Sequence, residues 1–379
     1  MKVLHICNDF CYTKVHAELY SELDRLGVEQ VIYTYPLDAK YSGANRFDAL
    51  HARFIYSDAH KHFHKYFFHK KIHDIVKDVC LREDMSKIDC IHATTLFSDG
   101  GVAYSLHQKF GIPYVVAIRN TDVNEYMSVA FHTWLLGRKV IENAQKLVFI
   151  SPSIYNHFCQ RRFFKSVAKK NEAKTVICPN GINTYWLDHI TNEPTANPHE
   201  VLYVGRFDTN KNVLRLINAF LALRQELPDL HFTIVGERGE QESEIISKAE
   251  AHKDAITYLG PVYDREKLRC IMRQSGVFAM VSIHETFGLV YVEALSQGLP
   301  ILFTKGQGVD GYFPKDIGVA VNPKSIDDIK NGLRELIMNH ENYQGYKKVN
   351  FSQFKWEDIA KKYKVIILNT ENEIVTTSK

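Results

Sequence analysis

Two short segments of the chain combine cations, carboxylates and glycines at spacings that suit a phosphorylated ligand. The first begins where a β-rich run ends at Gly205, and it carries Arg206 and Lys211. A glycine lets the backbone approach a ligand closely, a guanidinium can bind phosphate through two hydrogen bonds, and an ammonium adds a point charge. The segment therefore predicts a site for an anionic phosphate. A strand–turn–helix connection with solvated cations is the alternative interpretation, and the residues alone leave it open.

The second segment places two carboxylates around a predicted helix start. Glu285 precedes a helix predicted over Leu289–Gln297, and Glu293 lies inside it. The amides of residues 287–289 would point outward at the positive helix terminus, which favours a phosphate. The two carboxylates could accept hydrogen bonds from separate hydroxyl groups of an extended polyol. In the alternative interpretation Glu285 caps the helix and Glu293 is solvated, although the apolar neighbours of Glu293 imply that this acid needs a partner.

The elements that would position these residues alternate between β-rich runs and amphipathic stretches, which indicates βαβ units and parallel sheets. The predicted strands are Val3–Cys7, Gln30–Tyr35, Cys90–Ala93, Tyr114–Ile118, Leu147–Ile150, Thr175–Cys178, Val201–Val204, Leu230–Val235, Ile256–Leu259, Val277–Val281 and Ile301–Phe303. The predicted helices include Lys14–Leu26, Val213–Glu226, Glu240–Ala251, Arg265–Gln274 and Leu289–Gln297.

This order of elements predicts an α/β protein with two facing, doubly wound, Rossmann-like domains around a central cleft. A polar segment broken by two prolines, residues 188–200, lies near the domain boundary. We expect an N-terminal acceptor-side domain over residues 1–180 and a C-terminal donor-binding domain over residues 181–353. An aromatic helix candidate within residues 354–379 would dock on the first domain.

Composition excludes several classes of protein. The chain has 379 residues and a net charge of +3, which disfavours a globally basic nucleic-acid binder. Its apolar runs are strand-sized and fall short of the ~18 residues that a membrane-spanning helix needs. The N-terminus reaches polar residues too early for a signal peptide, so we expect a cytoplasmic protein. The 7 cysteines include no C-x-x-C pair, which favours free thiols over a zinc site or a disulfide framework.

The ordered set of motifs resembles the retaining nucleotide-sugar glycosyltransferases of family 4, which have the two-domain GT-B fold. The similarity runs from about Met1 to Lys364. The residues that carry it are Gly205-Arg206 with Lys211, Glu285 and Glu293, Phe287-Gly288-Leu289, Gly298-Leu299-Pro300, and Cys178-Pro179-Asn180-Gly181-Ile182.

The resemblance implies a nucleoside-diphosphate sugar as donor substrate, bound mainly by the second domain. Arg206 and Lys211 would bind the diphosphate and neutralise the charge on the leaving nucleotide. Glu285 and the amides of residues 287–289 would hold the sugar and the phosphate, while Glu293 would accept from the ribose. Further donor contacts would come from Asn180, Gly205, Glu237 and Val262. Because no Asp-x-Asp occurs, we expect no metal and no other cofactor.

The sequence departs from the family pattern where the acceptor and the sugar would bind. A Gly-Gly pair common after the first strand is replaced by Phe10-Cys11-Tyr12-Thr13-Lys14, and a frequent histidine is replaced by Arg119-Asn120-Thr121-Asp122. Acceptor-side candidates are therefore Asp9, Tyr12, Arg119 and Asp122. A third loop reads Gly306-Gln307-Gly308-Val309-Asp310-Gly311, in which Asp310 would replace the family's glutamate.

A basic and aromatic stretch, residues 60–73, predicts an interaction surface in the first domain. If helical, it would place Phe63 and Phe67 on one face with cations around them, which is typical of an interfacial membrane helix. The candidate membrane-surface residues are Lys61, Phe63, Lys65, Phe67, Lys70, Lys71, Arg161 and Arg162. A solvated helix that covers its own domain is the alternative interpretation. Alternating histidines do not share a helical face, which disfavours a metal site.

Together these observations predict a retaining glycosyltransferase that acts on a saccharide or lipid-linked acceptor in surface polysaccharide or glycan assembly. It would be cytoplasmic, with a possible peripheral position on an anionic membrane surface, and would not bind nucleic acid. A nucleotide-sugar 2-epimerase of the same architecture is one alternative. A non-catalytic saccharide-binding or membrane-binding protein is the other, and a degenerate site would not need the full set of cations and carboxylates.

Overall fold

The computed structural model describes residues 1–195 and 197–368, and the chain forms two compact units. The first unit contains Met1–Ile150, Ile154–Gly181 and the segment from Gln353 onward, whereas the second contains Ser151–Ser153 and Ile182–Ser352. The chain therefore leaves the first unit after Gly181 and re-enters it near its C-terminus. The last part of the predicted helix over 354–379, residues 369–379, lies outside the described residues.

The first unit is built on a parallel sheet of seven strands in the order β3-β2-β1-β4-β5-β6-β7. The strands are β1 Lys2–Ile6, β2 Glu29–Thr34, β3 Ala52–Tyr56, β4 Cys90–Ala93, β5 Tyr114–Ile118, β6 Lys146–Phe149 and β7 Thr175–Ile177. All five residues of β5 are buried, as expected for a strand with both faces covered by helices.

The second unit is built on a parallel sheet of six strands in the order β10-β9-β8-β11-β12-β13. The strands are β8 Glu200–Val204, β9 His231–Val235, β10 Ile256–Tyr258, β11 Val277–Ala279, β12 Ile301–Thr304 and β13 Gly318–Val321. In both units the strand order reverses beside the first strand, so each sheet is doubly wound. The predicted α/β class with two Rossmann-like sheets is confirmed.

Helices cover both sheets. The first unit contains α1 Lys14–Arg25, α2 Phe68–Arg82, α3 Ser98–Phe110, α4 Met127–Val129, α5 Trp134–Asn143, most of α6 Pro152–Gln160, α7 Lys165–Lys170 and α14 Trp356–Leu368. The second contains α8 Thr184–Asp188, α9 Val213–Arg224, α10 Glu242–Ala251, α11 Arg265–Gln274, α12 Leu289–Ser296 and α13 Ile326–Met338. Apolar residues at helical spacing explain α1, whose Leu19 and Leu23 are buried.

The C-terminal helix α14 completes the core of the first unit. Its Ile359, Ala360 and Tyr363 share one apolar cluster with Leu19 and Leu23 of α1. A side chain at Gly181 would meet the ring of Trp356 at 2.6 Å, so only glycine lets the chain pass so close to the start of this helix. The docking of α14 on the first unit therefore rests on an extensive apolar contact.

Candidate functional site

The predicted phosphate-binding residues lie at the point in the second sheet where the strand order reverses. Strands β8 and β11 are neighbours there, and the loop after β8 carries Gly205, Arg206 and Lys211 while the loop after β11 carries Glu285. Ligands of open parallel sheets bind at this position, outside the carboxyl ends of the strands. The fold thus brings together two segments that are 74 residues apart in the chain.

Lys211 and Glu285 form an ion pair at the centre of this site. The Lys211 Nζ atom lies 2.8 Å from Glu285 Oε2, and the two side chains are 18% and 10% exposed. Glu285 also accepts hydrogen bonds from the Ser282 hydroxyl (3.1 Å) and from the Thr286 amide (3.1 Å). Glu285 is therefore a fixed acceptor beside a cation that can still reach solvent, and it does not act as a simple helix cap.

Side chains in the loop after β8 lock it against the loop after β11. Asp208 accepts from the Lys211 amide at 3.0 Å, which closes the turn before Lys211. Asn210 exchanges two hydrogen bonds of 2.9 Å with the backbone of His284. Asn212, at a φ of +60°, donates to the carbonyl of Val281 at 3.0 Å. These contacts hold the ammonium of Lys211 in register with the carboxylate of Glu285.

The N-terminus of α12 opens beside this ion pair. Gly288 occupies the position before the helix at a φ of +80° and, having no side chain, makes no capping hydrogen bond. The first amides of a helix have no partner within the helix, so they can donate to an anion. Phe287 is buried and anchors the turn, while Leu289 begins the helix. Residues 287–289 thus lie at the start of α12, next to Glu285.

Arg206 is the most exposed member of the group. Its guanidinium lies 3.0 Å from Asp208, and its side chain is 72% exposed. Gly205 lies under the Tyr203 hydroxyl, which donates to the Arg206 carbonyl at 2.6 Å. Arg206 can therefore turn toward an anion by exchanging one surface ion pair for another, at a small energetic cost.

Glu293 lies inside α12, more than one turn after the helix begins, whereas Glu285 precedes the helix. Burial raises the pKa of Glu293 to about 7, while Arg265 and a hydrogen bond from the Trp186 side chain act in the opposite direction. This acid therefore has the partner that the sequence required. Near neutral pH it exists in both the protonated and the ionised form.

Glu237 and Val262 lie on neighbouring loops after β9 and β10. The Glu237 carboxylate accepts from the Tyr263 hydroxyl and pairs with Arg238 at 3.0 Å. The amide of Gly236 donates to the carbonyl of Gly260 at 3.1 Å, which ties the two loops together. Both predicted residues are partly exposed at the same edge of the sheet as the ion pair.

Sequence reasoning missed one side chain that shapes the site. Gln307 is buried, and its Oε1 atom accepts from the Glu285 amide at 3.2 Å. The Gly308 amide donates to the Glu285 carbonyl at 3.0 Å. Asp310, which was expected to replace an acid of the family, accepts from the Gly306 amide within its own loop. The glycines of this loop were the only signal for its approach to Glu285.

The acceptor-side candidates lie in the first unit, at the reversal point between β1 and β4, and Asn180 also belongs to that unit. Asp9 is partly exposed; burial raises its pKa, and Arg119 and Lys71 lower it. Tyr12 is exposed, and its hydroxyl accepts from the Leu37 amide at 3.1 Å.

The expectation that Asp122 faces a sugar needs correction. Its side chain is buried, and the carboxylate accepts from the amides of Leu96 (3.0 Å) and Arg119 (2.9 Å). Burial raises the pKa of Asp122 to about 7. Asp122 therefore joins the loops after β4 and β5. Arg119 is half-buried, and its Nε donates to the Thr94 carbonyl at 3.3 Å.

The basic stretch 60–73 is not a single helix. A 3₁₀ turn over His62–Lys65 precedes α2, so Phe63 and Phe67 do not share a helical face, although both are exposed. Lys71 was wrongly assigned to the surface, because it is buried and its ammonium donates to the Ser98 hydroxyl at 2.9 Å. The cations that remain exposed are Lys61, Lys65 and Lys70.

Residues 1–195 and 197–368 contain neither a cluster of side chains that could bind a metal nor a helix that could span a membrane. Within these ranges, no group of three or more His, Cys, Asp and Glu side chains could hold a metal ion. No helix in the same ranges is long and apolar enough to cross a membrane. All seven cysteines are free thiols.

Two family models match consecutive parts of the chain. The model described as Glycosyltransferase Family 4 matches residues 14–186, and the model described as Glycosyl transferases group 1 matches residues 186–353. The first match covers most of the first unit. The second covers the loops that carry Arg206, Lys211 and Glu285.

Curated relatives are distant but similar in kind. A glycogen synthase of Mycobacterium tuberculosis is 25% identical over 268 residues, which is 68% of this chain and 63% of that protein. An alpha-monoglucosyldiacylglycerol synthase of Acholeplasma laidlawii is 26% identical over 270 residues, which is 65% of this chain and 63% of that protein. The chain thus spans less than two thirds of the length of these relatives.

Solved structures match over nearly the whole chain. The sucrose-phosphate synthase of Thermosynechococcus elongatus has a TM-score of 0.71 at 18% identity and covers 97% of this chain and 98% of its own. The pneumococcal O-GlcNAc transferase GtfA, solved with UDP and GlcNAc, has a TM-score of 0.65 at 14% identity, with coverage of 97% and 99%. At these identities the likeness shows a shared fold.

Proposed function

Because this chain belongs to the family 4 glycosyltransferases of GT-B fold, we propose that it transfers a sugar from a nucleoside diphosphate to an acceptor hydroxyl with retention of configuration. The observation that carries the proposal is the Lys211–Glu285 ion pair beside the uncapped N-terminus of α12. Such a donor requires a cation for its phosphate, a fixed carboxylate for a sugar hydroxyl and helix-terminal amides that can donate to a second anionic oxygen.

The charges at this site fit stabilisation of the leaving group. In the reaction, the acceptor oxygen bonds to the anomeric carbon, the bond from that carbon to the phosphate oxygen breaks, and the acceptor proton goes to the departing diphosphate. Negative charge then grows on the diphosphate. Lys211, Arg206 and the α12 amides are placed to stabilise it, since fixed donors aimed at developing charge lower the barrier. These groups perform the task that a bound metal ion performs in other enzymes.

The carboxylates would select the rest of the donor. Glu285 is held by Ser282 and Thr286 with its remaining lone pairs available to a sugar hydroxyl. Glu293 would accept from the ribose, and the loops of Glu237 and Val262 would surround the base. The pneumococcal GtfA structure contains UDP and GlcNAc, which supports uridine diphosphate sugars as the first donors to test.

The proposed acceptor is a saccharide or a lipid-linked saccharide, reached at the cytoplasmic face of a membrane. The name of the Acholeplasma relative indicates a product built on diacylglycerol, and exposed cations and aromatic residues are present in the first unit. Both observations support a peripheral position for this enzyme.

Alanine variants of the ion pair test the proposal. We expect Lys211→Ala and Glu285→Ala each to lower the rate of sugar transfer roughly 100-fold or more, since loss of one charge-stabilising group costs about that much. Lys253→Ala, which removes an exposed lysine elsewhere in the second unit, is the matched control. Transfer is measured with a panel of nucleotide sugars and saccharide acceptors, with and without EDTA, and equal rates are expected in both.

Three outcomes would contradict the proposal. Transfer rates within about twofold of wild type in both ion-pair variants would remove these residues from the donor site. Release of an epimerised donor in the absence of acceptor would favour the 2-epimerase. Absence of thermal stabilisation by every nucleotide sugar in the panel would favour a non-catalytic protein, because a ligand specific for the folded state raises the Tm.

A further inference from the structure

A groove in the first unit has a composition that neither the donor site nor the acceptor-side loops explain. Its volume is about 680 Å³, and it lies between the start of α5 and the segment that leads into α7. The residues that line it are Met127, Ser128, Trp134, Arg138, Arg161, Arg162, Phe163, Phe164 and Ser166. Large apolar side chains and guanidinium groups therefore face the same space.

The apolar part of the groove is built around Trp134. Its ring centroid lies 4.6 Å from that of Phe131 and 5.1 Å from that of Phe163. The indole N–H donates to the Tyr126 carbonyl at 3.1 Å, so the polar atom of Trp134 is already satisfied. The groove can therefore accept an apolar chain without leaving this donor unpaired.

The rim of the groove carries exposed apolar side chains. Val129, Phe131 and Leu135 are 74%, 65% and 69% exposed, and all three lie in the short segment that also contributes Trp134. Single exposed apolar residues are ordinary, whereas a cluster beside a groove marks an interaction site. This rim extends the apolar surface beyond the groove itself.

Three arginines give the groove its charge. Arg161 is fixed by a hydrogen bond of 2.7 Å from its Nη2 atom to the Val123 carbonyl. Arg138 lies over the Phe163 ring at 5.4 Å, and Arg162 is exposed. None of the described residues that line the groove is acidic, and the acid nearest to Arg138 is Glu142, which forms a partly exposed ion pair with it at 3.8 Å. The occupant that complements this surface has an apolar body and an anionic head.

Exposed aromatic residues of the basic stretch lie next to this surface. The Phe68 ring at the start of α2 contacts Tyr126 (5.9 Å) and His132 (6.1 Å). Tyr66 and Phe67, which directly precede Phe68, are 74% and 61% exposed. Two segments of the chain thus present aromatic side chains and cations in the same region of the first unit.

We propose that this surface docks on the anionic phospholipids of a bilayer, with an acyl chain seated against Trp134 and Phe163 and the lipid phosphate held by Arg138 and Arg162. Exposed aromatic and aliphatic side chains enter the boundary between head groups and acyl chains, and cations beside them attract anionic lipid. Arginine suits phosphate because its planar fork can donate two hydrogen bonds to it. This inference rests on the proposed function, which places the enzyme at a membrane, and it identifies the surface of the first unit that contacts the lipid.

Co-sedimentation with vesicles tests the assignment. The protein is mixed at low salt with vesicles of phosphatidylcholine alone, or of phosphatidylcholine with phosphatidylglycerol. We expect binding to the second kind only. Leu135→Asp and Arg162→Glu should each weaken it roughly tenfold or more, because each places a negative charge at the lipid surface. Leu81→Asp and Arg25→Glu are matched controls, since Leu81 is 76% exposed on α2 and Arg25 is 72% exposed on α1.

Each other result overturns the assignment. The assignment is wrong if the wild-type protein stays in the supernatant with anionic vesicles. It is also wrong if the control variants lose as much vesicle binding as Leu135→Asp and Arg162→Glu do. A change from dimer to monomer in Leu135→Asp, seen by light scattering, would identify the surface as an interface between copies. All variants are also tested for thermal stabilisation by the nucleotide sugar that stabilises the wild type. A variant that is still stabilised by the nucleotide sugar has an intact fold and donor site. If no nucleotide sugar stabilises the wild-type protein, the proposed function is contradicted, but the assignment of the lipid-binding surface is not.

Discussion

Glu293 is a residue whose protonation state changes near neutral pH. Burial raises its pKa to about 7, well above the value near 4.3 of a solvated glutamate. The ionised carboxylate is the better acceptor for a ribose hydroxyl. Donor affinity should therefore rise with pH around neutrality, as Glu293 loses its proton.

We expect the affinity for a nucleotide sugar to rise by up to about tenfold between pH 6 and pH 8, because the ionised fraction of Glu293 grows over that interval. Glu293→Gln should remove most of this dependence, since an amide does not titrate. Glu244→Gln, an exposed position on α10, is the control. Isothermal titration calorimetry measures the dissociation constants, and an unchanged pH dependence in Glu293→Gln would exclude a ribose contact for this acid.

The charged residues of the proposed donor site were easier to single out from the sequence than the neutral residues that contact them. Arg206, Lys211 and Glu285 stood out because cations and carboxylates beside glycines suit a phosphorylated ligand, although the sequence also permitted structural roles for them. Gln307 and Asn212 did not stand out, because an amide side chain carries no signal of what it will contact. Lys71 was misassigned, since its charge predicted a surface position whereas the fold buries it beside Ser98.

At the scale of elements, the turn before α12 depends on the loop that follows β12. Gly308 lies at a φ of +54°, and a Cβ atom there would be 2.9 Å from the Phe287 carbonyl oxygen and 3.0 Å from Glu285 Cγ. The loop over residues 306–311 thus reaches the carboxylate only because this position is glycine. Gly311 in the same loop has a φ of +76°, but a Cβ atom there would have no other atom within 4 Å.

We expect Gly308→Ala to weaken donor binding at least roughly tenfold, because the added methyl group must displace Glu285 or the Phe287 carbonyl. Gly311→Ala is the matched control, since it carries a similar left-handed strain of about 1 kcal/mol without a clash. Urea unfolding and calorimetric titration of both variants separate the two effects. Equal donor affinities in the two variants would show that the loop does not shape the site.

Prediction of the elements from the sequence was uneven for both helices and strands, since the long helices α3 and α13 were not predicted. The helix over Arg265–Gln274 has the predicted bounds, whereas β3 and β13 escaped notice. Both are edge strands, but so are β7 and β10, which were predicted. Arg53 interrupts the apolar run of β3, and β13 is only four residues long and begins with Gly318. The predicted strand Val277–Val281 ends at Ala279, since the chain already turns toward Glu285.

At the scale of the whole molecule, the first unit buries histidines in its core. His5 Nδ1 lies 3.0 Å from His92 Nδ1, and both rings are fully buried. Burial lowers the pKa of His92 to about 3, with Arg119 adding to the effect, and it lowers the pKa of His5 and His16 well below 6.5. The folded unit therefore resists protonation that the unfolded chain accepts.

This difference predicts loss of stability in acid. Below pH 6.5 the unfolded chain binds protons that the folded core refuses, so each histidine lowers the free energy of unfolding by about 1.4 kcal/mol per pH unit. Asp122, whose pKa burial raises, has the opposite effect and adds to the free energy of unfolding as the pH falls. The contribution of a histidine is therefore measured by comparing a variant with the wild type. Relative to wild type, His92→Gln should lose less stability between pH 7 and pH 5 in urea unfolding, whereas exposed His73→Gln should match the wild-type slope.

The late return of the chain to the first unit has a consequence for synthesis on the ribosome. Residues 182–352 emerge before α14, so the second unit can fold while the first still lacks its last helix. Until α14 is present, the apolar cluster around Leu19 and Leu23 of α1 lacks the side chains of Ile359, Ala360 and Tyr363. The N-terminal unit therefore begins to form before the second unit, but its core is completed only after the whole second unit has been synthesised.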